Sequence, residues 1–209
     1  PYTTLFRSDG EGHALVPEVC IFFQDELFRG NRTFKYNAEE FRAFRSPNFP
    51  PLAEAGIHIK YNKKHIRYPE RWGKPLRVHT KLGTDVAIIK IFPGIEKRII
   101  RAVLNAPGLR AVILETYGQG NAPSAPWLLE ILASAIDRGI IILNITQCPA
   151  GSVAMDTYAC GIRLKEIGVL SGYDMTTESA IAKIMLLTGQ YSENKEVKYF
   201  LSQPLNGEF

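Results

Sequence analysis

The chain has 209 residues, 45% of them hydrophobic and 22% charged, with a formal net charge of +4. That is close to average globular usage and enough for one large or two small domains with a real core. Its apolar runs, such as Val19 to Phe23, Val86 to Ile89 and Ile140 to Leu143, fall far short of the roughly 20 residues a membrane helix needs, so no transmembrane span is expected.

In chain order, residues 1–8 (Pro1-Tyr2-Thr3-Thr4-Leu5-Phe6-Arg7-Ser8) read as the translation of a widely used sequencing-library adapter. They are set aside as an artefact fused to a truncated reading frame, and no signal-peptide pattern is read at the start. Val19 to Phe23 is an apolar run of strand length. Asn37, with Glu40 three residues on, has the pattern of an N-cap and predicts a helix. Lys35 is therefore expected in a strand-to-helix connection, where an ammonium can project from a rigid frame. A loop lysine is ordinarily a solvated charge. What singles this one out is its company, Arg29-Gly30-Asn31-Arg32 before it and Ser46-Pro47-Asn48 after it.

Between Lys60 and Lys81 lie ten Lys, Arg or His residues, a pattern that nucleic-acid binding would also produce. The alternation of Ile57, Ile59, Tyr61, Ile66 and Tyr68 instead predicts half-buried strands with a solvated basic face, so no nucleic-acid partner is expected. Trp72-Gly73-Lys74-Pro75 breaks regular structure and reads as the start of a linker, placed at 73–83. Gly83-Thr84-Asp85 leads directly into an apolar run and reads as a strand entry.

From there the pattern is regular. Strands are predicted at Val86 to Phe92, Ala111 to Leu114, Ile140 to Asn144 and Val169 to Ser171. Helices are predicted at Glu96 to Asn105, Ser124 to Asp137, Asp156 to Glu166 and Glu178 to Leu187. Ser124 with Pro126 makes a helix start, and Arg138-Gly139 a stop. Alternating β and α units imply an α/β class with a parallel sheet covered on both faces and sites at the strands' carboxyl ends. Gly118-Gln119-Gly120-Asn121 falls at such an end. It lacks the third glycine and helix entry of a dinucleotide loop and reads equally as a tight turn. Cys20, Cys148 and Cys160 lie in or near apolar sequence without metal-ligand spacing, which suggests reduced core cysteines and a cytoplasmic setting. The four histidines do not cluster, so no metal or other cofactor is expected.

Several of these segments, in order, resemble the bacterial cytosolic (type I) L-asparaginases. They are Arg29 to Lys35 with Ser46-Pro47-Asn48, Ala55 to Ile59, Phe92-Pro93-Gly94-Ile95, Glu115 to Pro123, Asn144 to Cys148, Gly172 to Thr176 and Leu205 to Glu208. The resemblance implies an asparaginase-like two-domain α/β fold. Residues 9–72 would be the C-terminal remnant of its N-terminal domain, and 84–209 a complete, small, parallel-sheet C-terminal domain.

The resemblance also implies an activity, hydrolysis of L-asparagine to L-aspartate and ammonia through a threonine acyl-enzyme, without cofactor. Lys35 is then the catalytic lysine. Asn121 and Tyr158 would hold substrate across subunits of a homodimer or homotetramer. The family's Thr-Gly-Gly-Thr and Gly-Thr-Asp-Thr loops, with nucleophile and oxyanion hole, are not in this sequence, so the chain as it stands is expected to be inactive. Arg7-Ser8-Asp9-Gly10 also resembles a turn of that family, a rival to the adapter reading. The alternatives are the asparaginase-like subunit of a tRNA-dependent amidotransferase and a two-lobed small-molecule binding module.

Overall fold

A computed structural model describes residues 8–9, 12–70, 75 and 77–209. The adapter expectation, Ser8 apart, lies outside the described residues, as does the linker expectation at residues 73, 74 and 76. The chain divides into one unit ending at Val78 and a second, His79–Phe209.

In the first unit, β1 (Cys20–Phe23), β2 (Glu26–Arg29), β5 (Ala53–Ala55) and β6 (Ile59–Tyr61) form an antiparallel sheet in that order. Gln24 and Asp25 take φ of 45° and 62° to close the β1–β2 hairpin, the left-handed pair that a two-residue turn demands. Leu27, Leu52, Ala53 and Ile66 make its core. A second hairpin pairs β3 (Phe34–Lys35) with β4 (Phe44–Arg45).

Three expectations fail here. The helix after Lys35 does not form. The Asn37 side chain does accept from the Glu39 and Glu40 amides, at 2.9 and 3.2 Å, but the chain only bends over 38–41 and turns back into β4. Phe41, which would anchor such a helix, is 88% exposed, so no packed apolar face offsets the cost of nucleation. The run at Ile66 and Tyr68 is loop rather than strand, with Ile66 buried and Tyr68 exposed. Ile57 lies outside β6 and is fully exposed.

The second unit is the expected parallel sheet, in the order β10 (Leu170–Ser171), β9 (Ile141–Thr146), β8 (Ala111–Thr116), β7 (Val86–Lys90). Every residue of β8 is buried, as a central strand covered on both faces requires. The pleat divides its side chains. Val112 and Leu114 pack with Ile100 and Leu104 of α1 (Lys97–Leu104), Leu128 and Leu132 of α2 (Pro126–Asp137), and Leu164 of α3 (Ala159–Glu166). Ala111 and Ile113 pack with Ile184 and Leu187 of α4 (Thr177–Gln190) and with Val197 and Leu201 of α5 (Asn194–Leu201).

Boundaries differ where capping differs. Pro126 opens α2, but Ala125 rather than Ser124 is its cap, with no side-chain bond. Thr176 caps α4 by accepting from the Ser179 amide at 3.2 Å. The sequence pattern did not reveal α5. Helix α3 begins three residues later than expected, which leaves Tyr158 ahead of it in extended backbone and half-exposed.

A buried clasp closes this unit. Lys183 of α4 lies 2.5 Å from Glu208, both side chains 5% exposed, and donates to the Leu201 and Gln203 carbonyls at 3.1 and 2.6 Å. Glu208 accepts from the Leu205 and Asn206 amides, and Phe209 stacks on Tyr173 at 4.3 Å. Burial lowers the Lys183 pKa, against the opposing pull of Glu208. Burial would raise Glu208, but Lys183 and the backbone amides outweigh it and hold the carboxyl below its ordinary range.

Candidate active site

The segment before Lys35 is a clamped frame. Arg29 is 4% exposed. It donates to Glu18 from Nε at 2.5 Å and from Nη2 at 3.0 Å, and Nη2 also donates to the His65 carbonyl at 2.8 Å. Its guanidinium sits 4.4 Å above the Phe49 ring. Glu18 also accepts from the Arg67 amide at 2.7 Å, so one carboxylate ties β2 to the chain after β6. Arg32, 5% exposed, faces the same ring at 5.3 Å and reaches the Asn48 carbonyl at 3.3 Å. Gly30 fits closely between them, since a Cβ there would lie 3.0 Å from the Val19 carbonyl oxygen and force a small shift. The Thr33 hydroxyl, donating to the Arg29 carbonyl at 2.7 Å, completes the turn into β3.

On that frame Lys35 stands opposite Phe44, exposed, and makes no hydrogen bond or ion pair with a described residue. Its neighbour Arg45 stacks on Tyr36 at 3.8 Å. An open cleft of about 940 Å³ beside this hairpin is lined by Asp25, Glu26, Arg42, Arg45 and Phe49 among others, and Lys35 is not in its wall. Burial raises the Glu26 carboxyl, and so does Glu54 directly across the β2–β5 register, while Arg42 opposes them.

In the second unit the Gly118 to Asn121 segment is a tight turn closed by Tyr117 and Asn121, whose backbones exchange two hydrogen bonds of 2.8 Å. It is anchored from below by residues that the sequence reading missed. The Thr116 hydroxyl donates to Asn144 Oδ1 at 2.6 Å, Asn144 Nδ2 donates to the Gly120 carbonyl at 3.2 Å, and the Thr146 hydroxyl donates to that of Gly118 at 2.5 Å. Thr116 and Asn144 are fully buried. A lone asparagine inside Ile141-Ile142-Leu143-Asn144-Ile145 was the available signal, because a buried amide must be hydrogen-bonded. Gly120 has φ of 103°, and a Cβ there would meet Val153 at 2.8 Å.

The segments that carry Asn121 and Tyr158 approach one another at neighbouring residues. Ala122, next to Asn121, exchanges hydrogen bonds with the Cys160 thiol at 3.4 and 3.0 Å, and Cys160 is two residues from Tyr158. Cys20 and Cys160 are half-buried, as expected, but Cys148 is exposed and not a core residue. Burial, helped by Glu18 and opposed by Arg29, pushes the Cys20 thiol up to about 11. No metal-binding group of His, Cys, Asp or Glu occurs among the described residues, nor is any described helix long and apolar enough to cross a membrane.

A small antiparallel unit followed by a parallel β/α unit with its turn at the strands' carboxyl ends is an asparaginase-like α/β arrangement, and comparison with known proteins agrees. Residues 8–67 match the family described as Asparaginase, N-terminal, and residues 85–201 match the Glutaminase/Asparaginase C-terminal domain. The chain belongs to the glutaminase/asparaginase family.

It is 41% identical over 212 residues to L-asparaginase 1 of Escherichia coli K12, covering 97% of this chain and 62% of that protein. It is 44% identical over 199 residues to the human 60 kDa lysophospholipase, covering 94% of this chain and 34% of that protein. The crystal structure of L-asparaginase I from Vibrio cholerae superposes with a TM-score of 0.86 at 44% identity, over 93% of this chain and 58% of that one. The chain thus spans between one third and about three fifths of the length of these relatives.

Proposed function

We propose that the protein carrying this chain hydrolyses L-asparagine to L-aspartate and ammonia, in the cytoplasm, as a homodimer or homotetramer with sites completed across subunits. The observation that carries this reading is the contrast along one segment. Arg29, Arg32 and Arg45 each face an aromatic ring, whereas Lys35, on the same clamped frame, is exposed and unpartnered. The strand fixes the Lys35 backbone, and its ammonium, with no partner among the described residues, is available for chemistry.

A threonine hydroxyl is a poor nucleophile at neutral pH, and a lysine serves as its base only where the surroundings draw the amine's pKa down from near 10. In the reaction Lys35 removes the proton from a threonine hydroxyl as that oxygen attacks the side-chain amide carbon. Ammonia leaves with a proton returned to it, and water hydrolyses the acyl-enzyme to L-aspartate. Asn121 and Tyr158 of a neighbouring subunit hold the amino-acid end of the substrate. The nucleophile and the oxyanion-hole amides belong to the Thr-Gly-Gly-Thr and Gly-Thr-Asp-Thr loops, which this sequence lacks and which a longer protein would supply.

Two arms test this. The 209-residue chain alone releases no ammonia from L-asparagine above a Lys35→Ala control. In a protein extended upstream with both loops, Lys35→Met lowers kcat by about 10²–10⁴ with little change in KM or melting temperature, as loss of general-base assistance predicts. Retention of half the parental kcat would assign Lys35 to the surface.

The identity to a protein named lysophospholipase makes ester hydrolysis the second reading, because it proceeds by the same acyl transfer. Fatty acid released from lysophosphatidylcholine without ammonia from asparagine would select it. The amidotransferase-subunit reading is weaker, since the archaeal proteins so named are 31–32% identical.

A further inference from the structure

Helices α1 and α2 pack side by side on one face of the parallel sheet, and their outer groove has an unusual charge pattern. Lys97, Arg101 and Asn105, spaced four apart, run along α1 and its end. Glu130, Ser134 and Arg138, spaced the same way, run along α2 and its end, and the two rows line a pocket of about 240 Å³. Residues four apart share one face of a helix, so each row looks across the groove at the other.

Arg138 is the fixed back wall. It donates from Nη1 to the Ser134 carbonyl and hydroxyl at 3.2 and 3.0 Å, and from Nη2 to the Leu104 carbonyl and Asn105 Oδ1 at 2.9 and 3.1 Å. Ser134 and Asn105 are therefore acceptors toward Arg138, which leaves the serine O–H and the asparagine NH₂ as donors toward the groove.

Within the α1 row Arg101 lies in the last turn, where the helix dipole favours a cation, but Lys97 goes against what helix electrostatics favour. Lys97 stands at the first helical position with no acidic residue in that turn, where a cation opposes the helix dipole. Arg101 follows at i+4 with the same sign, an arrangement that weakens a helix. Neither is ion-paired with a described residue. The carboxylate nearest in sequence, Glu96, pairs instead with Arg98 at 2.5 Å. Three cations and one carboxylate, Glu130, line the groove. That excess of positive charge in a concave site attracts an anion.

We propose that this groove binds a small phosphoryl anion, with Lys97 and Arg101 neutralising its charge, Arg138 orienting it, and Ser134 and Asn105 donating to its oxygens. The pocket is smaller than the roughly 300–1,000 Å³ of sites for drug-sized ligands, so the ligand is a diphosphate or a short phosphate monoester rather than a nucleotide.

The test is calorimetric titration of the full chain at low ionic strength with inorganic pyrophosphate in one arm and glycerol phosphate in the other, with chloride matching ionic strength as control. Saturable one-to-one binding is expected. Lys97→Gln and Arg101→Gln should each weaken it by about tenfold, the loss of one charge-assisted contact. Glu130→Gln should tighten it, and Lys195→Gln on α5 should leave it unchanged, with melting temperatures confirming that each variant folds. The probe that binds more tightly identifies the source of the phosphoryl group. Absence of saturable binding in both arms, or equal weakening by Lys195→Gln, would overturn the proposal.

Discussion

Removing the Lys183 ammonium should be among the most damaging single changes available in the second unit. Lys183→Met keeps the length and apolar stem of the side chain, so packing within α4 is nearly preserved. What is lost is the partner of Glu208 at 2.5 Å and the donor to two carbonyls, all inside a region where both side chains are 5% exposed. Glu208 retains its two backbone amides but is left a buried carboxylate without a counter-charge. Breaking a buried pair from one side typically costs about 3–5 kcal/mol, a large share of a domain's total stability.

Urea denaturation followed by circular dichroism, read on the transition of this unit, measures the loss. Lys183→Met with Glu208→Gln should recover much of it, because an amide in the same place carries no uncompensated charge. The pH dependence has a definite sign. Glu208 is held below its ordinary value of 4.5, so its contribution is complete above that value and is lost as pH falls through the lower, folded one. The gap between parent and Glu208→Gln should therefore close on acidification. A loss below about 1 kcal/mol for Lys183→Met would put the pair with exposed surface bridges and refute the reasoning.

Three further outcomes are expected. Tyr117 buries a hydroxyl with no hydrogen-bond partner among the described residues, so Tyr117→Phe should leave the melting temperature unchanged or raise it, by up to about 1 kcal/mol of stability; a clear loss would reveal a partner. Gly120→Ala, at φ 103° with Val153 2.8 Å from the new Cβ, should destabilise by about 1–3 kcal/mol through backbone strain and the clash, checked by thermal unfolding. Iodoacetamide at pH 8, followed by peptide mass spectrometry, should label exposed Cys148 long before Cys20, whose thiol is pushed up to about 11, since only thiolate reacts; comparable labelling of the two in the folded chain would contradict the burial of Cys20.

What could be read in advance divides along the range of the interactions. Strands such as Ala111–Thr116 and helices such as Lys97–Leu104 announce themselves through local periodicity, and the second unit's architecture follows from their alternation. The β3–β4 hairpin was misread as a helix entry because the Asn37 cap signal is genuine, while the decision against a helix lies with Phe41, which finds nothing to pack on. The Lys183–Glu208 clasp joins residues 25 apart in a stretch where a lysine looks like a solvated helix face.

The candidate site shows the same division more sharply. Arg29, Arg32 and Lys35 are three cations within seven residues, and nothing local to that segment distinguishes them. Glu18, eleven residues upstream, and Phe49, fourteen downstream of Lys35, engage Arg29, and Phe49 also faces Arg32, so those two guanidiniums are structural. Lys35 is left as the cation of the three with no such partner among the described residues. The resemblance assigns Lys35 its role, and the burial of Arg29 and Arg32 is consistent with it. Arg29→Met, which leaves the Glu18 carboxylate with the Arg67 amide but without its counter-charge, should therefore lower stability in the first unit and impair catalysis only as far as the frame loosens. Lys35→Met should do the reverse.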